Sequence, residues 1–178
     1  MKREKIINGQ VRPPYKDIPF GKSSVGFSGC GAIAIYNLLT ERGSDIELED
    51  VINVAKRLGC LFVFGFFGIR PAKLKKILSY YNLDFKKIKF EDEEVHDGDS
   101  FVVTIFNDKK KWIFGGLHTF EIAYRNDDRF NGRPWIAYNR VSSSDSAVRY
   151  KDFKDILITY GKKGERIYGK YLQVLKVL

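Results

Sequence analysis

The stretch Phe27-Ser28-Gly29-Cys30-Gly31-Ala32-Ile33-Ala34-Ile35-Tyr36-Asn37-Leu38-Leu39 decides how this chain is read. Ser28 and Gly29 make a small, flexible approach. From Cys30 onward, good helix formers carry apolar residues at helical spacing, which predicts a helix over 30–42 stopped by Gly43. A cysteine in the first turn of a helix stands in the positive end of the backbone dipole. The thiolate is favoured there, so a lowered thiol pKa and a raised nucleophilicity are expected of Cys30.

A second stretch, Gly115-Gly116-Leu117-His118-Thr119-Phe120-Glu121-Ile122-Ala123-Tyr124, alternates as a strand does and has His118 near its start. The rest of the first half of the chain is mostly helical. Ser44 or Asp45 is the expected cap of a second helix, with Leu48, Val51, Ile52, Ala55 and Leu58 on one face and Gly59 as its stop. The apolar run from Cys60 to Phe67 has strand or core length. Pro71 suits the first position of a third helix, whose stripe is Leu74, Ile77, Leu78 and Tyr81.

Outside that half the pattern changes. Residues 1–28 read as irregular. Strands are expected at 85–90, 100–106, 117–124 and 135–138, separated by the turn-forming Asp97-Gly98-Asp99, Asn107-Asp108 and Asn131-Gly132. A short helix over 150–160 and a last strand over 167–177 complete the chain. A helical half followed by an antiparallel sheet half is an α+β architecture, expected as one domain over 1–178.

Composition narrows the function classes. With 44% hydrophobic and 15% aromatic residues, the 178-residue chain can bury a core, which argues against disorder. No run approaches the ~18 apolar residues needed to span a bilayer. Met1–Ile7 is charged without an apolar stretch after it, so no secretory leader and a cytoplasmic location are expected. The net charge of +9 is spread over short clusters at Lys73/Lys75/Lys76, Lys86/Lys87/Lys89, Lys109–Lys111 and Lys162/Lys163. These read as solvated faces and turns, and no nucleic-acid motif accompanies them. Two cysteines and two histidines are too few for a disulfide framework or a structural zinc site, and no metal or cofactor is expected. Cys60 reads as a buried small hydrophobe, His96 as an exposed loop residue, and Asp127-Asp128 as a solvated turn.

Thiol catalysis needs a sulfur nucleophile, an imidazole in reach, a group that orients the imidazole, and donors for the oxyanion. Cys30 and His118 supply the first two. The orienting group should come from the strand paired with that of His118. Its hairpin partner, Trp135–Tyr138, ends at Asn139, 21 residues after His118. The Asn139 amide oxygen is therefore expected to accept the ring N–H. Access to the cleft would be narrow if aromatic side chains such as Trp112 and Trp135 wall it.

Several segments carry a resemblance: Gly29-Cys30-Gly31 opening the first helix, Gly68-Ile69-Arg70-Pro71-Ala72-Lys73-Leu74, His118-Thr119-Phe120, Tyr138-Asn139-Arg140, and Tyr150-Lys151-Asp152-Phe153. Over roughly residues 20–175 the chain resembles the papain-like cysteine peptidases, and within them the bacterial enzymes that remove double-glycine leader peptides from bacteriocins, with their free-standing relatives. The resemblance implies a papain-like fold and a thiol peptidase acting on a peptide or protein. Cys30 would be nucleophile, His118 general base and acid, and Asn139 orienting group. Such enzymes carry a glutamine six residues before the nucleophile as an oxyanion donor, and Ser24 stands there. Ser24 is thus the oxyanion candidate. The alternatives are a domain of the same fold that binds a peptide or protein without cutting it, and acyl transfer through the same thioester. Nothing in the sequence brings Asn8 or Gln10 to the site.

Overall fold

A computed structural model describes residues 6–106, 116–127, 129, 131–160, 166–168 and 171–178. The chain first forms a small ribbon, β1 (Pro19–Phe20) with β2 (Ser23–Ser24), and a helical turn, α1 (Val25–Ser28). Part of the segment read as irregular is therefore ordered, the Gly21-Lys22 turn closing the ribbon. Gly29 leads into α2 (Cys30–Glu41), the helix expected from the opening stretch. Every residue from Gly31 to Leu39 is buried, so α2 is a central helix, apolar nearly all round.

α3 (Leu48–Arg57) starts beyond the expected Ser44 or Asp45 cap. Glu47 takes that place because it and Asp50 form a reciprocal box, the Glu47 N–H donating to Asp50 Oδ2 at 3.2 Å. α4 (Pro71–Tyr80) begins on its proline and buries Leu74, Ile77 and Leu78.

The apolar run before α4 departs from expectation. Only Leu61 makes a strand-like bridge, to Ile69, and 63–65 is a single 3₁₀ turn. Phe62, Val63, Phe64, Phe66 and Phe67 are between 38% and 69% exposed, so this run is not core. Gly65 and Gly68 take φ of 98° and 76°, which breaks any strand. The turn is pinned to the α1 region by Lys22 N–H to the Phe64 carbonyl (2.8 Å) and by the Ser28 hydroxyl to the Gly65 carbonyl (2.7 Å).

The second half gives β3 (Phe85–Ile88), β4 (Ser100–Phe106), β5 (Leu117–Tyr124), β6 (Trp135–Tyr138), β7 (Val148–Tyr150), α5 (Phe153–Ile156), β8 (Ile158–Tyr160), β9 (Arg166–Tyr168) and β10 (Tyr171–Val177). Six strands form one antiparallel sheet in the order β3-β10-β4-β5-β6-β7. The helix expected over 150–160 shrinks to α5, because β7 pairs with β6 on one side of it and β8 with β9 on the other. The last expected strand divides likewise into β9 and β10.

The two faces of the sheet bury different sets, as the two-residue strand period requires. Val102, Leu175 and Val177 join α2, α3 and α4 in one core. Phe101, Val103, Phe120, Ile122 and Trp135 pack with Phe153 of α5 in the other. Trp135 is 6% exposed, inside this aromatic cluster, and does not wall a cleft. Trp112, Asn107-Asp108, Lys109–Lys111, Gly115, Asp128 and Lys162/Lys163 lie outside the described residues. No helix among the described residues is long and apolar enough to cross a membrane.

One acidic pair lies at the contact of helix and sheet. Glu121 of β5 is fully buried, and neither of its oxygens finds a donor. Beside it, Glu41 of α2 accepts from the Tyr138 hydroxyl (2.6 Å) and Arg125 (3.0 Å). Burial first, then the Glu41 charge, push the Glu121 carboxyl well up; protonated, it can donate to Glu41. The folded chain then holds a proton that the unfolded chain has released above its ordinary carboxylate range. Stability is consequently lost as pH rises from that range towards the raised value. Glu121→Gln keeps a donor for Glu41 without the ionisation. We expect it to raise stability at pH 7 by about 1–2 kcal/mol, read by urea unfolding, with no gain below pH 4.

Candidate active site

Cys30 is the first residue of α2, and two glycines shape its surroundings. A Cβ on Gly29 would lie 2.7 Å from the Val25 Cα, and one on Gly31 would lie 3.2 Å from Ile69. Glycine at these positions lets α1 and the segment before α4 close against the helix start. The backbone N–H groups of Cys30, Gly31 and Thr119 favour the thiolate form of the Cys30 sulfur. The first two are open donors of a helix start. The third belongs to the peptide bond joining His118 to Thr119. The β5–β6 ladder runs only from Glu121–Tyr138 to Tyr124–Trp135, so β6 leaves this edge of β5 open. The Thr119 amide acts on the sulfur because α2 packs on β5.

The direction of the Cys30 pKa differs from expectation. Burial pushes the thiol up and outweighs the three amides that favour the thiolate. A helix dipole lowers a thiol pKa most where water solvates the thiolate, and Cys30 is only partly exposed. Cys60 is fully buried, as expected, and burial raises its thiol too.

His118 is 6% exposed and stacks on Phe120, ring centroids 5.5 Å apart. Its Nε2 lies 2.7 Å from the main-chain carbonyl of Asn139. A carbonyl only accepts, so Nε2 carries the hydrogen and Nδ1 keeps its lone pair. Burial lowers the His118 pKa to about 4; the nearby Arg140 cation lowers it further, and the Asn139 carbonyl opposes both. At neutral pH the imidazole is uncharged.

Asn139 meets His118, but with a different oxygen from the one expected. Its φ of 54° is left-handed, a region asparagine tolerates better than most residues. That conformation gives the main-chain carbonyl to the imidazole and leaves the side chain to the N-terminal arm. The side-chain oxygen accepts from the Gln10 N–H (3.2 Å), its NH₂ donates to Gln10 Oε1 (3.0 Å), and its main-chain N–H donates to Asn8 Oδ1 (2.8 Å). Asn8 and Gln10 thus belong to the site's surroundings. No local pattern points to them, since 131 and 129 residues separate them from Asn139.

Ser24 is partly buried, has extended backbone before α1, and makes no capping bond. The carboxamide in its neighbourhood is that of Gln10, whose Nε2 faces the carbonyls of Val25 (3.5 Å) and Gly26 (3.3 Å). His96 is exposed in a loop, as expected. Among the described residues, no three His, Cys, Asp or Glu side chains gather in a group able to hold a metal ion. No protein-family model and no curated protein sequence matches the chain.

Proposed function

We propose that this chain is a papain-like thiol hydrolase that cleaves an amide bond in a peptide or protein. The observation that carries the reading lies at the start of one strand. The His118 ring is held by the Asn139 carbonyl at 2.7 Å, and the Thr119 amide, next along β5, favours the thiolate of Cys30. In this reading His118 Nδ1 takes the thiol proton as sulfur attacks the substrate carbonyl. Asn139 holds the Nε2–H tautomer and stabilises the imidazolium that forms. The Cys30 N–H and the Ser24 hydroxyl face the developing oxyanion. His118 then gives its proton to the leaving amine, and later draws one from the water that resolves the thioester. The thiol is raised and the imidazole lowered, so the resting pair is neutral and the proton moves during attack.

The raised thiol and the serine at position 24 also favour a second reading, a domain of this fold that binds a peptide or protein without cutting it. Turnover of a mixed peptide library separates the two. Hydrolysis by the parent, lost in Cys30→Ala and increased in Ser24→Gln, is the expected result. No turnover by either the parent or Ser24→Gln would leave the binding domain as the better account.

A further inference from the structure

We infer that Gln10 is a positioning residue, and that residues 6–12 form a strap holding the Asn139 carbonyl on the His118 ring. The role in activity rests on the catalytic reading of Cys30 and His118; the strap itself does not. One end of the strap is fastened to the helix of the nucleophile. The Ile7 N–H donates to Asn37 Oδ1 (2.8 Å), and Asn37 Nδ2 donates back to the Ile7 carbonyl (2.9 Å). Asn37 is fully buried and lies two turns after Cys30 on the same side of α2.

The other end is fastened to the turn after β6. Asn8 and Gln10 together occupy the main-chain N–H, the side-chain oxygen and the side-chain NH₂ of Asn139. Its carbonyl is the one polar group they leave, and that group meets His118. The Val11 N–H adds a bond to the Ser142 carbonyl at 3.2 Å. Gly9, at φ 71°, lets the strap lie flush on this turn, since a Cβ there would stand 2.5 Å from the Ser144 carbonyl oxygen. The Arg12–Asp145 pair (2.9 Å) is solvent-exposed and contributes little. The strap therefore ties the sulfur's helix to the acceptor that selects the imidazole tautomer.

Asn139 is 1% exposed and left-handed, and Gln10 is 5% exposed. Removing the Gln10 carboxamide strands a buried NH₂ and frees Asn139 to leave a conformation that its backbone does not favour. Its carbonyl then swings off the ring, and the proton is free to reside on Nδ1, the atom that must accept from sulfur.

Gln10→Met, similar in length and apolar, is the first test. Asn8→Ala removes a single hydrogen bond from a partly exposed side chain, keeps the fold, and is the second. In both, 15N spectra of the His118 ring read the tautomer, and iodoacetamide alkylation of Cys30 across pH reads its consequence. We expect a smaller Nε2–H population and alkylation slowed by up to roughly 100-fold in Gln10→Met. Unchanged ring spectra in both folded variants would overturn the inference, even with lowered unfolding temperatures. The catalytic reading fails separately, if His118→Ala leaves Cys30 alkylation unchanged; the ring spectra report on the strap in either case.

Discussion

Replacing His118 with alanine is expected to slow iodoacetamide alkylation of Cys30 at pH 7 by about 100-fold, with no change at Cys60. The argument starts from the direction of the thiol pKa. Burial holds the Cys30 proton on sulfur, so little thiolate exists at neutral pH. Reaction then depends on a base that takes the proton as the S–C bond forms. His118 is uncharged at this pH and keeps a free lone pair on Nδ1, because Nε2 is committed to the Asn139 carbonyl. Cys60 is an internal control. Its sulfur faces the Leu58 and Lys73 carbonyls, both at 3.7 Å, and the charges acting on its thiol are those of Lys73 and Lys76. Mass spectrometry of the two cysteine peptides gives both rates from one sample. Faster alkylation of the buried Cys60 in the variant would indicate loosening of the fold instead.

The second large effect is on stability. Between pH 6.5 and 4, His118 is expected to contribute a loss of about 3 kcal/mol as the solution is acidified. The unfolded chain binds a proton at this residue near pH 6.5, whereas the folded chain does so only near pH 4. Over that window the unfolded state holds more protons, so stability rises with pH and falls on acidification. Glu121 acts in the opposite sense, because its folded carboxyl is raised. The two contributions overlap in pH and partly cancel in the parent. Urea unfolding in a Glu121→Gln background separates them, by comparison with the same chain carrying His118→Phe, which keeps an aromatic ring against Phe120. A parallel pH dependence in the two chains would show that burial does not depress the imidazole.

Both effects depend on groups whose identity was readable from the sequence, although their environments were not. Cys30 and His118 stand at element starts marked by periodicity, and periodicity depends only on neighbours three, four or two residues away. The helix from Cys30, the proline-led helix at Pro71 and the strands at 100–106, 117–124 and 135–138 follow from it. Asn139 is legible because a hairpin brings the end of one strand to the start of its partner. Which Asn139 oxygen meets the imidazole was hidden, since it turns on a φ of 54° that a composition rule does not supply.

Two further points were illegible for physical reasons. The run from Cys60 to Phe67 is as apolar as a buried strand, but Gly65 and Gly68 at positive φ turn its phenylalanines outward. Hydrophobicity alone carries no information on that geometry. The strap at Asn8 and Gln10 is made of side-chain hydrogen bonds spanning more than a hundred residues. Such bonds leave no local signature. The direction of the Cys30 pKa is illegible because a helix start is visible in sequence, whereas desolvation depends on what packs over it.

The most direct test caps the sulfur and watches the ring. Methylthiolation of Cys30 is followed by 15N spectra of both histidines, with exposed His96 as the reference. If sulfur and imidazole share one site, the Nδ1 resonance of His118 shifts on capping, while Nε2, bound to the Asn139 carbonyl, and both His96 nitrogens stay in place. An unmoved Nδ1 resonance would mean that the two groups do not meet, and the thiol hydrolase reading would fall with it.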